Sequence, residues 1–507
     1  MDAAIGSLTR LVLRLVGRLL PANLRRAAGL IVTSPAAAPT GTVAVASDET
    51  IANLGKVDHI VVLMLENRSF DHMLGYLTLE GGRRDIDGLT GSEANSYQGT
   101  SYPVHHLDRT AWNGELEDPC HGPECIDQQL ANGNSGFVTS YADYLAAYQA
   151  RHGRAAGADP SLVMGYYNAE DLPVYDHLAR EFCVCDRWFS SVPGATWPNR
   201  LYSLAGRAAG DREDADPPIY NLPSVFRFLD QRATDWRFYS FDPATLRLVD
   251  AQYRLSHHHN FAYVDRRKLT SQERLAGEVL GEERSFLDDA AAGTLPAVSW
   301  IDPHFKDTRV FGPDSNDDHP PSDVLAGQAL VLDVYHALRT SPKWEQSLLI
   351  VTYDEHGGIY DHVPPPTAPD DDPEFRRYGV RVPALIVSPL VEPGSVAPRE
   401  PVFDHTSIIK TILLRFCQEG GRIPDLGARV TAAHHLGGLL SREAARTDVA
   451  PHDAAAAQIV AWRSGFSERR FRELDAQPPV RPLTHLQNGY VKATRALREA
   501  GLPAGHP

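Results

Sequence analysis

The sequence predicts an α/β fold built on a mainly parallel sheet. Three observations carry that prediction. Strand-like apolar runs recur at 60–65, 182–186, 236–240, 296–301, 348–353 and 382–388, with helical patterns between them. Alternation of this kind implies βαβ units. The runs Ile60–Leu65 and Leu348–Val351 are apolar at every position, as in strands covered on both faces. Both stop abruptly on paired polar residues, Glu66-Asn67 and Asp354-Glu355.

Taken in order, residues 1–33 open with a basic amphipathic helix. Arg10, Arg14 and Arg18 share one face, and Leu8, Leu11, Val12, Leu15, Val16 and Leu19 the other. Residues 8–20 can therefore lie on an anionic membrane surface, belong to an export signal, or pack on their own domain. Arginines inside the apolar run spoil a simple secretion signal. Export, membrane association and a cytoplasmic location all stay open. Residues 34–56 are small, polar and Pro-containing at first and read as a linker. A domain over 57–425 holds the strands, with cap-like insertions at 81–170 and 205–285. Within it, Ser322–Ser341 has helical spacing, with Ser322 or Asp323 as N-cap. Residues 426–507 read as a helical extension without evident chemistry.

Length and composition bound the function. A chain of 507 residues with 43% hydrophobic and 22% charged residues is an ordinary globular protein. Its formal charge of −16 argues against nucleic acid as a partner. It leaves an anionic substrate open, because a bound cation can reverse the field in a cleft. No stretch is long and apolar enough to span a bilayer. Five Cys are too few for a disulfide scaffold. Cys120 and Cys125 in "CHGPEC" stand close enough to pair, but buried or unpaired thiols are the expectation.

The two strand ends carry the chemistry. Ligands in open α/β sheets bind beyond the carboxyl ends of the strands. Glu66, Asn67, Asp354 and Glu355 offer hard oxygen donors there, suited to one divalent ion. Each pair is followed by a "DH", Asp71-His72 and Asp361-His362. Alone, an acid after a strand is often a helix cap or a solvated turn. Two matched pairs point instead to two strand ends that meet. A nucleophile comes from "PGATWPNR". Thr196 is read as the N-cap of a helix with Pro in its first turn, and a helix N-terminus suits an anion. A metal-activated hydroxyl there can attack phosphorus, with Asn199 and Arg200 near enough to bind phosphate oxygens. Read alone, Thr196 is an ordinary cap. Further candidates to neutralise a phosphoryl group, or to protonate the leaving oxygen, are His121, the run His257–His259, His304 and His319.

With these pieces located, the chain resembles the bacterial phosphoesterase family of non-haemolytic phospholipases C and the acid phosphatase A group. The similar motifs are "HIVVLMLENRSFDHMLGYL", "LPVYDHLAREFCVCDRWFSSVPGATWPNR", "DDHPPSDVLAGQ", "TYDEHGGIYDHVPPP" and "FDHTSIIKTIL". The resemblance implies an alkaline-phosphatase-like three-layer α/β/α core. It implies a divalent metal (Ca, Mg, Mn or Zn) held by Glu66, Asn67, Asp354 and Glu355, with Thr196 as further ligand and nucleophile. The resemblance implies histidines around the phosphate, with His121, His258 or a neighbour, and His319 in fitting positions. His319 or His121 is the expected proton donor, and the residues themselves are read as giving His258, His259 and His304, with Asn199 and Arg200, a substrate-binding role. The substrate is then a phosphodiester such as a phospholipid; a phosphomonoester, acid-phosphatase style, is the alternative. Ala195 departs from a Pro often seen before the nucleophile. Too little chain follows the core for the extra β domains of phosphocholine-specific relatives, so choline-lipid specificity is not expected.

Overall fold

A computed structural model describes residues 34–112, 116–153, 158–254, 256–266, 284–305, 315–476 and 485–499. The basic helix read at 8–20 lies outside the described residues. The central sheet has seven strands. In chain order they are β1 (His59–Leu65), β2 (Cys183–Val184), β3 (Trp236–Ser240), β4 (Phe261–Tyr263), β5 (Val298–Ile301), β6 (Ser347–Tyr353) and β7 (Ala384–Val387). All six expected strands are present. The spatial order is β4-β3-β5-β1-β6-β7-β2. From β4 to β6 every pairing is parallel; β7 runs antiparallel to both of its neighbours.

Every residue of β1 and β6 is buried, as continuous apolar runs require. Their register is the first fact that matters for function. Leu348 pairs with Ile60, and so on to Tyr353 with Leu65. Glu66 and Asp354 therefore leave adjacent strands at the same level.

The main helices include α1 (Pro123–Gln129), α2 (Phe137–His152), α3 (Pro173–Glu181), α4 (Thr196–Ala205), α5 (Val324–Arg339), α6 (Asp453–Ala476) and α7 (His485–Glu499). Asp323 caps α5, its carboxylate accepting from Leu325 N–H at 3.0 Å, as expected from the sequence. Pro begins α1 and α3, where its missing N–H costs nothing.

Three segments differ from expectation. The stretch read as a linker carries a strand, Thr42–Ala44, paired with Arg422–Pro424, and a 3-10 helix, Glu49–Lys56, capped by Asp48. The insertion at 205–285 is part of the sheet itself: beside the expected β3 it supplies the further strand β4. Helix α7, expected at an edge, brings Tyr490 against Trp197 and Phe305, next to the nucleophile candidate.

Candidate active site

Glu66-Asn67 and Asp354-Glu355 meet as the register dictates. Asn67 takes a left-handed backbone (φ 56°), tolerated by Asn, and turns its N–H onto Asp354 Oδ1 at 3.2 Å. Gly357, also left-handed at φ 65°, lies under this turn. A Cβ there would come 2.4 Å from the Asn67 carbonyl, so only glycine fits. Asp354 Oδ1 also accepts from Glu355 N–H at 2.7 Å, and His405 Nε2 holds the Asp354 carbonyl at 2.6 Å. Glu355 is half held. Its Oε2 accepts from Gly357 N–H at 2.7 Å and lies 3.2 Å from His356 Nδ1. Its Oε1 is buried without a hydrogen-bond partner, as are Glu66 Oε2 and Asn67 Oδ1.

Charge is unbalanced here. Glu66, Asp302, Asp317, Asp354 and Glu355 are all fully buried. Among the described residues Arg200 is the arginine that answers them: it pairs with Glu66 and with Asp354 Oδ2 (3.2 Å), with Asp302 at 3.8 Å. Burial drives Glu66 well above the usual carboxylate range against the pull of Arg200. Burial likewise pushes Asp302 and Asp354 up to about 6 and Asp317 to about 8. Burial acts upward on Glu355 as well, but His121, His356 and the Gly357 N–H hold it below its ordinary value. Open buried oxygens amid surplus acid suit a hard divalent cation. Glu66, Asn67, Asp354 and Glu355 are the residues that would hold it.

Arg200 is itself a correction. Expected on phosphate oxygens, it is spent on the carboxylates, with Phe305 stacked on its guanidinium at 5.0 Å. Asn199 is a second. Its Nδ2 donates to the carbonyls of Val192, Gly194 and Ala195, and its Oδ1 accepts from Val192 N–H. The amide holds the loop before Thr196 and has nothing left for substrate. Thr196 is the first helical residue of α4, and Ala195 is the N-cap. The hydroxyl makes no hydrogen bond with the described residues, while Trp197 N–H is taken by Asp214 at 2.9 Å. One helical turn separates Thr196 from Arg200, which puts both on the face toward Glu66 and Asp354.

His121 and His319 come together, their rings 5.6 Å apart. His121 Nε2 lies 3.3 Å from Asn67 Nδ2 and 4.0 Å from Glu355 Oε1. Burial lowers its pKa, but Glu355 and Asp118 outweigh that and raise it to about 9. His319 Nδ1 is bonded to the Pro320 carbonyl at 2.7 Å, and its Nε2 is buried without a partner. Asp118, His121 and His319 can each place a ligand atom within 4.8 Å of the others. Contrary to expectation, Cys120 and Cys125 form a disulfide, which closes the loop that carries His121.

His258 and His259 are not in the site. They precede β4, and Phe261 pairs with Phe238 at the level of Val62. Parallel strands all point one way, so these histidines stand at the amino ends. Glu66 is on the order of 15–20 Å further along the strand direction and three strands across. Their neighbour His257 pairs with Asp230 at 3.5 Å. His304 follows β5 on the site side, with Asp242 at 3.9 Å from its Nε2.

The "DH" pairs supply a second cluster. Asp71 binds the ring of His362 (2.7 Å) and Arg381 (3.0 Å), and Asp361 binds Arg381 (2.8 Å) and the Asp71 N–H (3.1 Å). They lock the two loops to each other behind the cradle. Asp302 and Asp118 were missed from sequence. Asp302 had a signal, since "VSWID" is a third apolar run that ends on an acid. Asp118 had only its place three residues before His121.

A non-specific phospholipase C6 of Arabidopsis thaliana is 34% identical over 378 residues, 70% of this chain. The match spans 66% of the plant protein's length, just under two thirds. A phospholipase C B of Mycobacterium tuberculosis is 30% identical over 74% of this chain and 76% of its own. Among solved structures, a protein in the alkaline phosphatase superfamily from Vibrio parahaemolyticus aligns with a TM-score of 0.32 and 13% identity, over 52% of this chain and 64% of its own. The model of the phosphoesterase family matches residues 57–417, the span that contains the whole sheet and both halves of the cradle, and the chain belongs to that family.

Proposed function

We propose that this chain is a metal-dependent phosphoesterase, on an alkaline-phosphatase-like three-layer core, that cleaves phosphodiesters in the manner of a phospholipase C. The observation that carries the reading is the register of β1 and β6. It sets Glu66-Asn67 beside Asp354-Glu355, with three buried oxygens left open. Relatives named phospholipase C, in a plant and in a mycobacterium, support the choice of diester over phosphomonoester.

In this reading Thr196 Oγ attacks phosphorus in line with the leaving alcohol. The hydroxyl proton is given up as the Oγ–P bond forms and the P–O bond to the alcohol breaks, the phosphoryl headgroup is left esterified to Thr196, and water then hydrolyses that ester and restores the hydroxyl. A divalent ion held by Glu66, Asn67, Asp354 and Glu355 supplies Lewis-acid stabilisation of phosphoryl charge. Arg200, paired with Glu66 and Asp354, holds both side chains in place. Asn199 and the α4 N-terminus fix the backbone that presents Thr196, so little reorganisation is needed. The His121–His319 pair serves the leaving oxygen, one of the two donating its proton.

The test is Thr196→Val, which keeps the side-chain shape and removes the hydroxyl. Turnover of a phospholipid or of p-nitrophenyl phosphorylcholine should fall by about three orders of magnitude or more, with the melting temperature unchanged. A folded variant at full rate ends the mechanism. Preference for p-nitrophenyl phosphate over both diesters would reassign the chain to phosphomonoesters.

A further inference from the structure

Gln129 ends α1 and is 1% exposed. Its amide joins two parts of the molecule that share no strand. Nε2 donates to the Cys120 carbonyl at 2.8 Å and lies 3.4 Å from Ser140 Oγ. Oε1 is 2.8 Å from His356 Nε2. A backbone carbonyl can only accept, so the amide nitrogen must face Cys120. Oε1 is then an acceptor, and His356 Nε2 must carry the hydrogen. That sets the ring of His356, whose Nδ1 meets Glu355 Oε2 at 3.2 Å.

Each end of the amide thus reaches one half of the site. Cys120 precedes His121 in the disulfide-closed loop of the inserted segment. His356 follows Glu355 at the end of β6. The two segments also touch directly at Gly358 (φ 72°), where a Cβ would lie 2.7 Å from the Cys120 carbonyl and 3.3 Å from Gln129 Nε2. The outcome of this packing is the 4.0 Å approach of His121 Nε2 to Glu355 Oε1. Gln129 itself touches neither residue through any of these bonds.

We infer that Gln129 is a positioning residue: by gripping Cys120 and His356 together, it sets His121 against Glu355. The kinetic part of this inference rests on the phosphoesterase reading above; the structural part does not. Residues that orient ligating and catalytic groups from behind commonly cost about 10- to 100-fold when replaced.

Two variants of the full chain test it. Gln129→Met removes both hydrogen bonds at similar volume. Gln129→Glu keeps the acceptor for His356 and loses the donor to Cys120. Two readouts are taken on protein with a wild-type melting curve: kinetics on p-nitrophenyl phosphorylcholine, and imidazole NMR of histidine-labelled protein. Gln129→Met should lower kcat by about 10- to 100-fold with KM nearly unchanged, and Gln129→Glu by less. The His121 signals should move along with those of His356. If Gln129→Met does not fold, Gln129→Glu decides the matter by the same readouts. Full kcat together with unmoved His121 signals overturns the inference. A wild-type protein with no phosphoesterase turnover whose His121 still responds to Gln129→Met would end the functional reading and leave the positioning one standing.

Discussion

Two acid clusters grow from the same pair of motifs and have opposite character. In one, Glu66, Asn67 and Glu355 each keep a buried oxygen without a partner. In the other, both oxygens of Asp71 and of Asp361 are bonded, to Arg381, the His362 ring and backbone N–H groups. Residue types and burial are nearly the same, and the count of partners differs. A fully satisfied buried cluster holds structure, whereas an unsatisfied one has capacity for a ligand. The second cluster also explains how the first persists. Surplus buried carboxylates repel one another, and the loops that bear them stay together because Asp71, Asp361, His362 and Arg381 lock them from behind.

Removing the cation from the closed cluster should therefore have the largest effect. Arg381→Met strands Asp71 and Asp361 without their buried partner, and a broken buried pair costs about 3–5 kcal/mol. Urea unfolding should show that loss, and a change under about 1 kcal/mol would mean the cluster is not the lock described. Glu66→Gln makes the opposite case. Arg200 still has Asp354 and Asp302 beside it. Folding stability of chelator-treated protein should then stay within about 1 kcal/mol of wild type. Bound divalent ion, measured by elemental analysis, should be lost along with turnover. Ion retained at full stoichiometry in Glu66→Gln would remove Glu66 from the cradle.

The sheet was legible because its evidence is local and repeated. Ile60–Leu65 and Leu348–Val351 are apolar at every position, and a strand buried on both faces has few other readings. The meeting of Glu66 with Asp354 was legible too, since equivalent strand ends in a parallel sheet lie at one edge. What failed needed knowledge of which end of a strand, and of which partner. "HHH" at 257–259 is rich in donors, yet it leads into β4 rather than out of it, and only register places it at the far edge. Asn199 and Arg200 suit phosphate by type, but type cannot show that Val192, Gly194 and Ala195 take one and buried carboxylates the other. The Cys120–Cys125 bridge is within reach by spacing, but five Cys are too few for a disulfide scaffold, so composition points to free thiols instead.

The smallest effect sharpens the comparison by pH. Burial acts to lower the pKa of His362, but Asp71 and Asp87 outweigh it and raise the ring to about 10. A histidine raised on folding adds stability that is complete below its unfolded pKa, about 6.5, and is lost as pH climbs toward the folded value. One proton is involved, so between pH 7 and 9 wild-type stability should fall by at most about 1.4 kcal/mol per pH unit from this group. His362 is 21% exposed at its side chain, so solvent screening should bring the slope below that ceiling. His362→Gln should be less stable at pH 7 and flatter across the window, because its amide still bonds Asp71 but cannot titrate. Parallel slopes for the two proteins would show that His362 is neutral in the fold. Arg381 would then be the one cation bonded to Asp71 among the described residues, beside neutral N–H donors of His362, and the closed cluster would carry more negative charge than the lock requires.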